Sequence, residues 1–210
     1  MTEQHPCIVY VVDDDAAMRD SMTELVESVG MQAETYPSAQ AFLDLCEPRH
    51  PCCLVLDVRM PGMSGLTLLE QLQGQGAPIP VILLTSHGDV PMAVDSMKAG
   101  AFDFVQKPYR EQALLDRIQT ALSLDFDRQR MREVEHDLDQ CVNTLTPREL
   151  NVFDRMLAGN TSKDIARALE ISPRTAEVHR RNVLRKFKVH STKALIALFF
   201  PAPNAAQREY

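Results

Sequence analysis

The stretch Cys53-Leu54-Val55-Leu56-Asp57-Val58-Arg59-Met60-Pro61-Gly62 constrains this chain more than any other. A short run of β-prone apolar residues meets a carboxylate and is then stopped by Pro-Gly. Such a run predicts a strand of a parallel sheet, buried on both faces. Pro61 and Gly62 predict the turn that ends it. Asp57 then stands at the carboxyl end of a central strand, the edge where open α/β sheets hold their ligands. A single aspartate there would be a cap or turn residue as readily as a site.

Three further runs change that balance. Ile8-Val9-Tyr10-Val11-Val12 ends in Asp13-Asp14-Asp15, Val81-Ile82-Leu83-Leu84 ends in Thr85-Ser86, and Phe102-Asp103-Phe104-Val105 leads to Lys107-Pro108. Helical patterns separate them. One spans Ala16 to Val29 with Met18, Met22, Leu25, Val26 and Val29 on one side, one follows Ser38 with Ala41, Phe42 and Leu45, and others cover Leu66–Leu72, Val90–Ala99 and Glu111–Leu122. Met31–Tyr36 is a weaker strand pattern, and Gly74, Gly76, Pro78 and Pro80 mark the loop before Val81. This alternation predicts an α/β, doubly wound, five-stranded parallel sheet over residues 1–122.

From Ser123 the period changes. Leu124, Met131, Val134, Leu138, Cys141 and Leu145 follow 7-, 3- and 4-residue steps, interrupted at Asp127. A helical linker over 123–143, continuous with the preceding helix, is predicted. Two arrangements fit it: a solvated helix lying on its own domain, or a coiled-coil seam between two protomers. Residues 144–210 then read as an all-α domain of four short helices. Thr146-Pro147-Arg148-Glu149 is a capping box with proline at the first helical position. Gly159 ends that helix, Thr161 or Ser162 starts a second, Ser172-Pro173 starts a third running to about Phe187, and Ser191 caps a fourth. The tight turn around Glu170-Ile171-Ser172 fits a helix-turn-helix.

Charge separates the halves. Residues 1–140 carry 10 Lys+Arg against 23 Asp+Glu, a net −13, whereas 141–210 carry 12 against 6, a net +6. Only the second half is suited to nucleic acid. The five cysteines have no metal-ligand or CxxC spacing, so reduced, buried thiols are expected, with a redox role for adjacent Cys52 and Cys53 as the minor alternative. No apolar run reaches the ~18 residues of a membrane span. Met1–Pro6 is polar, without a signal peptide's pattern, and a cytosolic protein is expected.

The acidic residues suggest a chemistry. Asp13, Asp14 and Asp57 are expected to converge, and carboxylates that close require protons or a cation. All-oxygen ligands with room for water suit Mg²⁺, which also neutralises an incoming phosphoryl group. Asp57 is the candidate nucleophile, accepting a phosphoryl group as an acyl phosphate. Lys107 is expected to pair with the carboxylate and then with phosphoryl oxygens. Thr85 is expected to bond a phosphoryl oxygen, and its inward movement would make room for Phe104, a two-state switch.

On the helix from Pro173, residues 174, 177, 178 and 181 share one face. A basic face on the second helix of a helix-turn-helix enters the major groove. Arg181 suits guanine and Glu177 a cytosine amino group. Lys163, Thr175, His179, Arg180, Arg185 and Lys186 are candidates for phosphate contacts, which position without specifying. The DNA-binding set is thus Lys163, Arg174, Thr175, Glu177, Val178, His179, Arg180, Arg181, Arg185 and Lys186.

Residues 7–122 resemble the receiver domain of two-component response regulators. The likeness rests on Val12-Asp13-Asp14, Leu56 through Gly65, Thr85 and Lys107-Pro108, and His87-Gly88-Asp89-Val90-Pro91-Met92-Ala93-Val94 resembles the FixJ-type members. Residues 145–200 resemble the LuxR-type helix-turn-helix of the NarL/FixJ subfamily, through Leu145–Leu150, Ala158-Gly159-Asn160, Lys163–Ala166 and Ile171–Asn182. The resemblance implies a phosphorylation-activated transcriptional regulator: Asp57 accepts its phosphoryl group from a sensor histidine kinase. It implies that Asp14, Asp57 and the Arg59 carbonyl hold Mg²⁺, with Asp13 acting through water. It further implies a cis Lys107-Pro108 bond, tuning of phosphoryl lifetime at Arg59 and His87, a homodimer on a two-fold DNA site, and RNA polymerase as a partner. The last helix pairs domains in that family. Two other readings fit the residues less completely. A Mg²⁺-dependent phosphatase with an aspartyl nucleophile lacks its second aspartate, because Arg59 stands two residues after Asp57. A constitutive DNA-binding dimer would use the 124–145 seam and leave the receiver idle.

Overall fold

A computed structural model describes residues 7–74, 79–86 and 90–200. The expected Gly76 and Pro78 loop positions and His87 lie outside the described residues. The chain divides after Met131 into two compact units.

The first unit holds five strands, β1 (Ile8–Val12), β2 (Gln32–Tyr36), β3 (Cys52–Asp57), β4 (Val81–Thr85) and β5 (Asp103–Gln106). All pair in parallel, in the order β2-β1-β3-β4-β5, so β3 is central. Helices α1 (Ala16–Glu27), α2 (Ala39–Leu45), α3 (Gly65–Gln73), α4 (Val90–Lys98) and the start of α5 (Glu111–Asn143) alternate with them. The doubly wound sheet is therefore as the apolar runs predict.

Strand alternation sorts each run into two cores. Tyr10, Leu54, Leu56 and Leu83 pack with Phe42, Leu68, Leu69 and Leu72 on one face. Val9, Val11, Cys53, Val55, Ile82 and Leu84 pack with Met22, Val26, Leu114 and Ile118 on the other. Every residue of β1, β3 and β4 is buried, which is why these strands read as unbroken apolar runs.

Two boundaries differ from the periodic reading. α1 stops at Glu27, so Val29 is exposed. Gly30 takes a positive φ of 79°, its N–H donating to Glu27 O and that of Met31 to Val26 O, and these bonds close the helix early. Leu45, at the end of α2, is exposed, and Leu43 and Cys46 pack in its stead. Lys107-Pro108 is cis, as is His50-Pro51.

α5 is one helix of 33 residues, as the continuous linker requires. Its seam is shorter than the heptad pattern suggests. Leu138, Cys141 and Leu145 pack into the second unit's own core beside Val152, Phe153 and Phe187, whereas Met131 and Val134 are exposed. The rest of that unit comprises α6 (Pro147–Leu157), α7 (Ser162–Ala168), α8 (Pro173–Lys186) and α9 (Thr192–Phe199). The Thr146 capping box forms as read, and Glu170 turns the chain between α7 and α8 with a φ of 53°. Among the described residues no helix is long and apolar enough to cross a membrane.

One glycine bears directly on the central strand. A Cβ at Gly65 would lie 2.2 Å from the Asp57 carbonyl oxygen and 3.1 Å from Leu56 Cγ. Backbone on one side and packed core on the other leave little room to yield. Gly65→Ala is expected to cost at least ~1–3 kcal/mol, the usual range for overpacking, as a lower urea midpoint for first-unit unfolding.

Candidate functional site

The carboxyl ends of β1 and β3 and the loop after β5 meet at one knot. Lys107 Nζ donates to Asp13 Oδ2 at 2.9 Å and to Asp57 Oδ1 at 2.7 Å. Asp57 Oδ2 accepts from the Arg59 N–H at 2.8 Å, and Asp13 Oδ1 from the Asp15 N–H at 2.9 Å. Both carboxylates are more than nine-tenths buried. Burial works against the Lys107 charge, but the Asp57 and Asp13 hydrogen bonds outweigh it and raise the ammonium's pKa. The lysine therefore stays charged and pairs with both neighbours, leaving the trio a net charge of −1.

Of the three carboxylates expected to converge, Asp13 and Asp57 share Lys107. Asp14 is exposed at the rim, and the oxygens of Asp13, Asp14 and Asp57 do not gather within 4.8 Å of one another. Lys107 bonds Asp13 and Asp57, while the side chain of Asp14 stays exposed. The donor set still fits Mg²⁺. Buried and exposed carboxylate oxygens and the Arg59 carbonyl are hard ligands, and the open rim admits the water this ion keeps.

Thr85 ends β4 and is buried, and its carbonyl accepts the Lys107 N–H at 2.7 Å. Phe104 lies on β5 opposite Leu83 and packs half-buried against the first core. Two supporting residues escaped the sequence reading. Asp15 caps α1 by accepting from the Ala17 N–H, and Arg19 donates to the Asp13 carbonyl at 2.7 Å. Asp15 directly before a helical pattern is a legible capping signal; the Arg19 contact has no local signature.

The basic unit presents a different surface. On α8, Arg174, Thr175, Glu177, Val178, Arg181 and Arg185 are exposed, while Ala176 and Val183 are buried. The exposed residues fall on one side by helical spacing. Lys163 is exposed on α7. His179 is half-buried, and its Nδ1 has no hydrogen-bond partner among the described residues. Arg180 and Lys186 sit differently from the free phosphate-binding cations expected. Arg180 donates to Asn160 O at 2.9 Å and Thr192 Oγ1 at 2.8 Å, tying α8 to the loop before α7 and to the start of α9. Lys186 Nζ donates to Glu149 Oε2 and to Thr144 O, each at 2.7 Å. Both side chains are engaged within the unit, Lys186 by a carboxylate and Arg180 by neutral acceptors.

Comparison with known proteins matches both halves. The model of the response regulator receiver domain matches residues 9–119, and that of bacterial regulatory proteins of the luxR family matches residues 143–199. The chain is 43% identical over 190 residues to the transcriptional regulatory protein FixJ of Bradyrhizobium diazoefficiens, covering 90% of this chain and 93% of that one. It is 41% identical to the response regulator protein TodT of Pseudomonas putida, covering 90% and 83%. Among solved structures, the response regulator StyR aligns with a TM-score of 0.84 at 42% identity over 94% of this chain and all of that one. Full-length FixJ from B. japonicum aligns at 0.56 and 42% identity over 92% and 95%.

The buried Glu149 gives the basic unit a defined acid sensitivity. Its hydrogen bond from Lys186, with those from Thr146, lowers its pKa from 4.5 to about 2. A carboxyl whose folded pKa is depressed contributes stability that is present above its unfolded pKa and lost as pH falls towards the folded one. The second unit is therefore expected to lose stability between about pH 4.5 and pH 2. Glu149→Gln is expected to be less stable at neutral pH and to lose this group's share of the acid dependence, read by thermal melts across that window.

Proposed function

The chain belongs to the response regulators that join a receiver domain to a LuxR-type DNA-binding domain, the phosphorylation-dependent transcriptional regulators, and we propose that Asp57 is its phosphoacceptor. The observation that carries this is the Asp57 carboxylate at the end of the central strand, with Lys107 on one oxygen and the Arg59 N–H on the other.

The transfer follows from those contacts. An Asp57 oxygen attacks the phosphorus of a phosphohistidine on a sensor kinase; the new O–P bond forms as the P–N bond breaks. Asp57, Asp14 and the Arg59 carbonyl would hold Mg²⁺, with Asp13 supporting it through water, and when bound the ion supplies positive charge to the phosphoryl oxygens. Lys107 transfers part of its hydrogen bonding from Asp57 to the phosphoryl group. The Thr85 hydroxyl bonds a phosphoryl oxygen, and Phe104 turns inward into the vacated space. That movement reshapes the outer face of α4, where Val94 and Met97 are exposed, and of α5. A homodimer follows, presenting two α8 helices to a two-fold DNA site. The chemistry is confined to the protein's own phosphorylation and dephosphorylation, in the cytosol.

On DNA, Arg174, Glu177, Val178 and Arg181 face the bases. Arg181 suits guanine, Glu177 a cytosine amino group, and exposed Val178 a thymine methyl. Lys163, Thr175, His179 and Arg185 face phosphates. Arg180 and Lys186 act mainly by holding α8 in place.

Incubated with Mg²⁺ and acetyl phosphate, wild type is expected to gain one phosphoryl group by intact mass and to double in mass in solution; Asp57→Asn is expected to do neither. A wild type that takes no phosphoryl group would overturn the assignment. On DNA selected from a random pool, Arg181→Ala is expected to cost ~1–3 kcal/mol and relax one base position, whereas Arg185→Ala weakens all sequences alike and lowers the salt slope by about 1.

A further inference from the structure

The other end of the central strand carries a second cluster, on residues the phosphoacceptor chemistry does not use. Asp125 lies on α5 and is 1% exposed, although a polar residue in a long helix ordinarily faces water. Its Oδ2 lies 2.6 Å from His50 Nδ1 and accepts the Cys52 N–H at 2.8 Å. Cys52 Sγ lies 3.6 Å from the same His50 nitrogen. The ligating atoms of all three residues fall within 4.8 Å of one another, and no other such group occurs among the described residues.

We infer that His50, Cys52 and Asp125 form a binding site for a thiophilic divalent cation of the Zn²⁺ class. The donor types match: imidazole nitrogen, thiolate sulfur and carboxylate oxygen are the ligands this ion takes. Spacing matches as well. With a Zn–S bond of about 2.3 Å and a Zn–N bond of about 2.0–2.1 Å, sulfur and nitrogen stand about 3.6 Å apart across a tetrahedral edge. That is the Cys52–His50 separation here. The nitrogen–oxygen edge of such a site is about 3.3 Å, so the 2.6 Å His50–Asp125 contact must open by several tenths of an ångström. Rotation of the partly exposed His50 provides that opening.

Entry and support are present. The His50 side chain is 24% exposed and Asp125 only 2%, so the ion enters past the imidazole and meets buried ligands behind it. The Cys52 N–H holds the Asp125 carboxylate in orientation, as outer contacts do around bound metals. Three protein ligands leave a fourth position for water. Binding sends the Cys52 thiol proton to solvent, and the His50 Nδ1 proton moves to Nε2 by tautomer exchange. Sulfur and imidazole ligands exclude Mg²⁺, which prefers oxygen. The two ends of β3 thus select different metals, and this site stands or falls apart from the role of Asp57. Occupancy would fasten α5 to the start of the strand that ends in Asp57.

The test titrates metal-stripped full-length protein with Co²⁺ in excess Mg²⁺. One equivalent is expected to give a thiolate-to-Co²⁺ charge-transfer absorption that Zn²⁺ bleaches. Cys53→Ser is expected to keep it, because Cys53 packs in the opposite core, and Cys52→Ser to lose it. His50→Gln, at a partly exposed position that leaves the core intact, is expected to weaken Co²⁺ binding by more than the about 10–100-fold that loss of an outer-shell contact costs. No absorption in wild type, absorption surviving in a folded Cys52→Ser, or unchanged affinity in His50→Gln would each overturn the proposal.

Discussion

The bridge from Lys107 to Asp13 and Asp57 is the interaction on which the acidic edge depends. Two carboxylates brought this close and nine-tenths buried would repel by about 4 kcal/mol at ~4 Å with an effective dielectric of ~20. An ammonium at 2.9 and 2.7 Å from them offsets that repulsion and fixes both side chains. Under the proposed phosphorylation of Asp57, the added negative charge would arrive where the lysine already points, and the cation that holds the resting arrangement would be drawn towards it. Asp14 is the acidic residue left free for solvent or a metal ion.

The basic half divides its cations by partner rather than by sequence position. Arg180 and Lys186 lie on the same helix as Arg174, Arg181 and Arg185, yet the first two are engaged by Asn160, Thr192, Thr144 and Glu149. The net +6 of residues 141–210 already sets Glu149 against Lys186, and Arg180 keeps its charge while its donors are engaged inside the unit. The internal pair has its own importance, because Glu149 closes the capping box of α6 while Lys186 anchors the end of α8 to it. Charge that holds the helix in place and charge left exposed on it are separate sets of residues.

The sheet was legible because its central strands are buried on both faces and leave continuous apolar runs; the meeting of Asp13, Asp57 and Lys107 was legible because they stand just past or at the ends of such runs. The rest was hidden for physical reasons. Heptad spacing from Leu124 to Leu145 cannot distinguish a seam facing another chain from one facing the chain's own core, and Leu138, Cys141 and Leu145 take the second course. The end of α1 was set by hydrogen bonds around Gly30 rather than by hydrophobic period. Asp125 carried no local sign of burial, since its partners are residues 50 and 52, more than seventy positions away.

The central place of β3 has a mechanical consequence. β3 is bonded to β1 on one side and to β4 on the other, and both cores press on it. Asp57 ends the central strand, paired with Leu84 of β4, while β5, carrying Phe104, is an edge strand bonded to β4 alone. Under the proposed phosphorylation, charge added at Asp57 would meet a strand flanked on both sides, and the sheet would give outward, toward the edge strand that carries Phe104.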